Sequence, residues 1–146
     1  MINTLQISIY KDQLLALHCM TYKGKPIVAK PLVLYCILHL IENNNNAINN
    51  VFKFDDIEKE YKRWKDVFHI TTECQYPFYF LQNEPFYHLQ WHTQPIKTKS
   101  PSKTFLRTHI DYAYFDNALW DLLQSADVRK LYKDALVEHY LQPHQT

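Results

Sequence analysis

The sequence predicts a single, mainly helical α+β domain built on a winged-helix-like core. Three observations carry that reading. Apolar residues recur at helical spacing through most of the chain. Two aromatic runs flank a polar turn in YPFYFLQNEPFYHL, residues 76–89, as in a β-hairpin. The order helix, strand, helix, hairpin in the middle of the chain is that of a helix-turn-helix variant carrying a wing.

The elements follow in order. Residues 3–20 carry Leu5, Ile9, Leu14, Leu17 and Met20 at near-helical spacing, with Asn3 or Thr4 placed to cap, while the alternation of Leu5, Ile7 and Ile9 also suits a strand. Lys23-Gly24-Lys25-Pro26 ends that helix. Pro31 opens PLVLYCILHLIE, since proline at a first helical position forfeits no hydrogen bond. Apolar nearly all round, this helix should be central, with His39 half-buried in it rather than a ligand. Glu42 and the asparagines of residues 43–46 stop it in a low-complexity surface loop. VFKF, residues 51–54, reads as a short strand and leads into DDIEKEYKRWKDVF. There Asp55 and Glu58 have capping-box spacing, and Ile57, Tyr61, Trp64 and Phe68 form one stripe.

A hairpin turning at Asn83 and Glu84 puts Phe78, Phe80, Tyr87, Leu89 and Trp91 on one face and Tyr79, Leu81, Phe86 and His88 on the other. SPSKTFLR begins a short helix. Asp116 is placed to cap DNALWDLLQSA, and Asp127 to cap VRKLYKDALVEHYL. Leu119, Trp120, Leu122, Leu123, Val128, Leu131, Tyr132, Ala135, Leu136 and Tyr140 are expected inward. The domain therefore divides into an N-terminal helix and basic loop (1–30), the winged-helix-like core (31–92), a basic segment with C-terminal helices (93–141) and a frayed tail (142–146).

Composition narrows the function. The 146 residues contain one glycine, Gly24, which excludes glycine-rich phosphate loops. Three cysteines, Cys19, Cys36 and Cys74, show no CxxC spacing and read as reduced thiols. No secretion signal or membrane-spanning run is read from the chain, so a cytoplasmic protein with no membrane partner is expected. Eight histidines include no HExxH, and the carboxylates of residues 55–60 sit at a helix start, where caps and the helix dipole account for them. No catalytic residue, metal or cofactor is expected. The formal charge is only +1, but it is unevenly spread. Lys97, Lys99, Lys103 and Arg107 occur from Pro95 to Ile110 without an acidic residue, and Lys11, Lys23, Lys25 and Lys30 are offset only by Asp12. Such segments suit phosphate contact through one face, although charge alone fits solvated loops as well.

At this point the motifs show a resemblance. KPLVLYCILHLIE (30–42) is similar to the Lys-Pro-Leu helix in the N-terminal regions of HNH-type restriction endonucleases. YPFYFLQNEPFYHLQW (76–91) resembles their Tyr-Pro-Phe aromatic hairpin. The stretch from Ser100 to Leu141 resembles their downstream helices, in the form of small stand-alone relatives. The resemblance covers about residues 30–141. In the characterised branch this region is a sulfur-binding domain, which holds the sulfur of phosphorothioate-modified DNA in an apolar cup with basic residues around it. The resemblance implies Tyr76 and Pro77 as the cup, Phe80 at the position three beyond the proline, Lys30 in the basic region before the first motif helix, and Lys103 or Arg107 as the downstream basic contact. Phe80 is bulky where the family has a small residue, and Val28-Ala29 stand where it has a flanking arginine and histidine. No HNH motif is present. The implied function is a non-catalytic module of a restriction or defence system that binds modified DNA beside a nuclease partner. The rival reading is a protein-interaction or dimerisation module using the aromatic hairpin.

Overall fold

A computed structural model of the chain describes residues 3–43 and 49–142. The expected asparagine loop beyond Asn43, and the expected frayed tail beyond Gln142, lie outside these residues. The first helix, α1 (Thr4–Leu14), is capped by the Asn3 side chain, which accepts from the Gln6 N–H at 3.0 Å. It stops at Leu14, so the expected stripe goes out of phase. Tyr10, Leu14 and Leu17 are buried, whereas Leu5, Ile9 and Met20 are exposed.

Rather than merely ending a helix, Lys23-Gly24 is the two-residue turn of a hairpin, β1 (Thr21–Tyr22) with β2 (Lys25–Pro26). Lys23 and Gly24 have φ of 52° and 77°, the left-handed pair that a tight hairpin turn requires. The central helix α2 (Ala29–Asn43) is buried nearly all round, as expected, and packs on α3 (Phe54–Lys65), α4 (Gln75–Phe80) and α7 (Ala126–Leu136). His39 is half-buried. Asp55 and Glu58 form no capping box: α3 starts at Phe54 without a side-chain cap, and Glu58 is spent on cations of another helix.

The main correction concerns residues 76–91. Only the second arm is a strand, β3 (Tyr87–Trp91). The first arm is α4, followed by a 3₁₀ turn over Leu81–Asn83. Proline in the first turn of α4 needs no donor, and a short aromatic run has no periodicity that separates a strand from a buried helical turn. The partner of β3 is β4 (Ile110–Phe115), to which the sequence reading assigns no element. They pair antiparallel from Tyr87 opposite Phe115 to Trp91 opposite Ile110, with Asp111 as the bulged residue. Along β3 the expected alternation holds, with Tyr87 and Leu89 buried and Gln90 exposed. The expected strand at residues 51–54 shrinks to one bridge, Phe52 to Ala113. The architecture is thus α+β as expected, but no wing hairpin forms at residues 76–91. Much of its apolar surface goes to the core instead: Phe78, Tyr79, Leu81, Phe86 and Tyr87 are all buried. Tyr76, Phe80 and Trp91 of the same segment keep partial exposure.

Between the strands lies α5 (Lys103–His109), capped by Ser102, whose Oγ accepts from the Phe105 N–H at 3.0 Å. Then come α6 (Asn117–Leu122) and α7. Asp116 holds the N-cap position of α6 without bonding its amides, because its carboxylate accepts from the Tyr10 hydroxyl at 2.9 Å and meets His88 Nε2 at 2.5 Å. Ser125, not Asp127, caps α7. Leu131, expected inward, is exposed.

Candidate nucleic-acid interface

The packing of α4 beside the segment that enters α2 leaves an open groove of about 700 Å³. One wall comes from His18, Cys19, Met20, Ile27, Ala29 and Lys30, the other from Thr72, Tyr76, Pro77, Phe80, Asn83 and Lys99. Four of the six expected site residues, Lys30, Tyr76, Pro77 and Phe80, are therefore brought together. Pro77 is buried and forms the floor, Tyr76 is 38 % exposed, and Phe80 is half-buried, wedged edge-on against Tyr79 at 5.0 Å. Phe80 narrows the groove without filling it.

Lys103 and Arg107 do not line the groove. They project from α5 onto α3, where Lys103 Nζ meets the buried Glu58 at 2.8 Å and Arg107 Nε and Nη2 both donate to Asp55 Oδ1, at 3.0 and 2.9 Å. The Glu58 carboxylate holds Lys103 above its ordinary basicity. Both cations are ion-paired with α3, Lys103 with a buried carboxylate and Arg107 with an exposed one.

Lys30 is also paired. Its ammonium donates to the His18 carbonyl at 2.8 Å and to Glu84 Oε2 at 2.9 Å, and the Glu84 side chain is only 1 % exposed. Glu84 further accepts from the His18 N–H at 3.0 Å, and its Oε1 lies 3.2 Å from His18 Nδ1. This buried carboxylate, placed by sequence at the tip of a hairpin, instead ties the two walls together. One of the three Lys30 donors is left for a ligand. Burial raises the pKa of the Cys19 thiol above its ordinary value, Lys30 opposing and Glu84 adding to the effect, and Cys19 lines the groove.

The cations without an ion pair among the described residues include Lys23 and Lys25 on the β1–β2 turn, and Lys97 and Lys99 on the loop after β3. Lys97 and Lys99 are exposed. Their loop is pinned by Tyr79, whose hydroxyl donates to the Ile96 carbonyl at 2.9 Å and accepts from the Thr98 N–H at 3.2 Å. A second cleft of about 530 Å³, lined by Trp91, Ile96 and Lys97 among others, adjoins the first across Phe80, Asn83 and Lys99. Sequence reasoning marked these lysines as basic but had no means to prefer them over Lys103 and Arg107. It missed Glu84, Asn83, His18 and Thr72, which carry no local signal of a groove.

No family model matches the chain, and no curated protein matches it. Two solved structures share its fold. One is the sulfur-binding domain of ScoMcrA complexed with phosphorothioated DNA, at a TM-score of 0.73 and 12 % identity, covering 92 % of this chain and 90 % of that one. The other contains the sulfur-binding and SRA domains of ScoMcrA, also complexed with phosphorothioated DNA, at a TM-score of 0.74 and 12 % identity. This chain spans 44 % of the length of that two-domain structure, and 92 % of its own residues are matched.

Proposed function

We propose that this protein is a non-catalytic DNA-binding module of a restriction or defence system, and that its groove at Tyr76 and Pro77 receives the sulfur of a phosphorothioate in duplex DNA. One observation carries the reading. An open apolar groove lies where the motif resemblance puts the sulfur cup, with Lys30 and Lys99 in its lining, in a fold like that of domains solved with phosphorothioated DNA.

The chemistry supports it. Sulfur in place of a phosphate oxygen is larger, more polarisable and less strongly hydrated, so its contact with Pro77, Phe80 and Ile27 costs little desolvation and gains dispersion. The neighbouring phosphates remain anionic and are held by Lys99, Lys97 and the third donor of Lys30. Phe80 makes the cup shallow, which favours a sulfur at the surface of the groove over one buried in it. Cleavage, in this reading, belongs to a nuclease partner that the module directs to modified sites.

The test is a fluorescence-anisotropy titration of two duplexes of identical sequence, one with a single phosphorothioate linkage. The modified duplex is expected to bind more tightly, and both to weaken steeply with salt. Equal affinity would remove the sulfur from the proposal, and absence of salt-sensitive binding to either duplex would remove DNA.

A further inference from the structure

We infer that the β1–β2 hairpin is a DNA-reading arm, which enters the major groove of the duplex whose backbone lies against Tyr76 and Pro77. The inference rests on the DNA-binding reading above and adds a contact surface to it.

The hairpin stands clear of the body of the protein. All six residues of 21–26 are exposed, and the ribbon is rooted by the Ile27 N–H donating to the Met20 carbonyl at 2.7 Å. Met20 and Ile27 themselves line the groove, so the hairpin rises from its rim. The only glycine of the chain is spent on this turn. A Cβ at Gly24 would meet nothing within 4 Å, so the backbone conformation and not crowding demands glycine there.

A two-stranded ribbon on its own is marginal in water, and this one holds Tyr22 in solvent at 65 % exposure, with Met20 at its root 74 % exposed. Along the chain on either side of them the formal charge is of one sign. No Asp or Glu occurs between Asp12 and Glu42, and Lys23 and Lys25 form no ion pair among the described residues. Tyr22 pairs with Lys25 across the ribbon, so their side chains share a face, and the Lys23 ammonium lies 5.4 Å from the Tyr22 ring centroid. A cationic tip with an aromatic ring beside it complements phosphates flanking exposed base edges. Two strands about 4.8 Å apart with their side chains exceed a minor groove about 6 Å wide but fit a major groove of about 12 Å. Pro26 denies the ribbon an edge donor, which disfavours pairing with a strand of another protein.

The experiment uses the phosphorothioate duplex and its plain counterpart, titrated from about 0.05 to 0.3 M salt. Lys23→Ala with Lys25→Ala is expected to weaken binding by roughly tenfold per lysine near 0.1 M salt and to lower the log–log salt slope by about 0.9 for each. Lys23→Arg with Lys25→Arg should restore both. Tyr22→Ala should weaken binding with the slope unchanged. Lys59→Ala, an exposed lysine of α3 outside both clefts, should change nothing. Methylation of guanine N7 on the major-groove edge should interfere with wild-type binding at positions where the hairpin variants tolerate it. Wild-type affinity and slope in the hairpin variants, or an identical interference pattern, would overturn the arm while leaving the DNA-binding reading intact. Failure of the wild type to bind either duplex would overturn both.

Discussion

The Glu84 carboxylate decides what Lys30 can do. Fully buried, it is matched by one ammonium and two His18 groups, so removing its charge strands a lysine whose side chain is only 12 % exposed. Glu84→Gln is therefore expected to lower stability by about 3 kcal/mol in a denaturant titration, the cost of orphaning one half of a buried pair. The same variant should tighten DNA binding, because Lys30 loses its competing anion. An unchanged denaturation midpoint would mean that the pair is solvated. Phe80 acts on selectivity. Phe80→Ala deepens the groove beside Pro77 and should raise the ratio of phosphorothioate to plain affinity, at a packing cost of about 2 kcal/mol for a half-buried ring. A falling ratio would mean that the contact of the ring with the sulfur outweighs the depth gained by removing it.

Among elements, the contact of α2 with α3 contains a pH-sensitive group. His39 packs edge-on against Trp64 at 5.2 Å, and its Nδ1 is buried without a partner. Burial, with Lys133 adding to it, lowers its pKa below the ordinary 6.5, against the opposing pull of Glu60 and Glu42. A depressed histidine pKa means that the unfolded chain takes up the proton first. Stability is thus full above about pH 6.5 and falls as the pH drops through that value, until the folded state also protonates. Melting temperatures between pH 5 and 8 should show this decline, and His39→Asn should flatten it. The same scale explains the misread hairpin. Residues 76–80 (YPFYF) and 87–91 (YHLQW) both carry aromatic rings, and beyond the proline of the first what separates them is which neighbours complete them. Tyr87 and Leu89 find β4 as a strand partner, while Phe78 packs on Phe54 and its carbonyl accepts from the Tyr87 hydroxyl at 2.7 Å.

Over the whole molecule, the C-terminal helices hold the wall of the groove. The Tyr140 hydroxyl donates to the Leu14 carbonyl at 2.9 Å and accepts from the Leu17 N–H at 3.1 Å, and Tyr132 donates to the Ile7 carbonyl at 2.8 Å. Leu17 immediately precedes His18, so Tyr140→Phe should cost about 1–3 kcal/mol of stability and weaken DNA binding without altering its salt slope. A changed slope would instead assign Tyr140 a role in charge. The sequence by itself determined what is written within a few residues: the apolar stripe of α3, a cap at Asn3 or Thr4, the buried α2 and the acid-free basic segments. Only the tertiary structure decided which cations remain free, that β3 pairs with β4, and that a groove opens beside α4. The reason is separation along the chain. Lys30 meets Glu84 54 positions away and Arg107 meets Asp55 at a distance of 52, and no local periodicity encodes which charge a fold will bring to which.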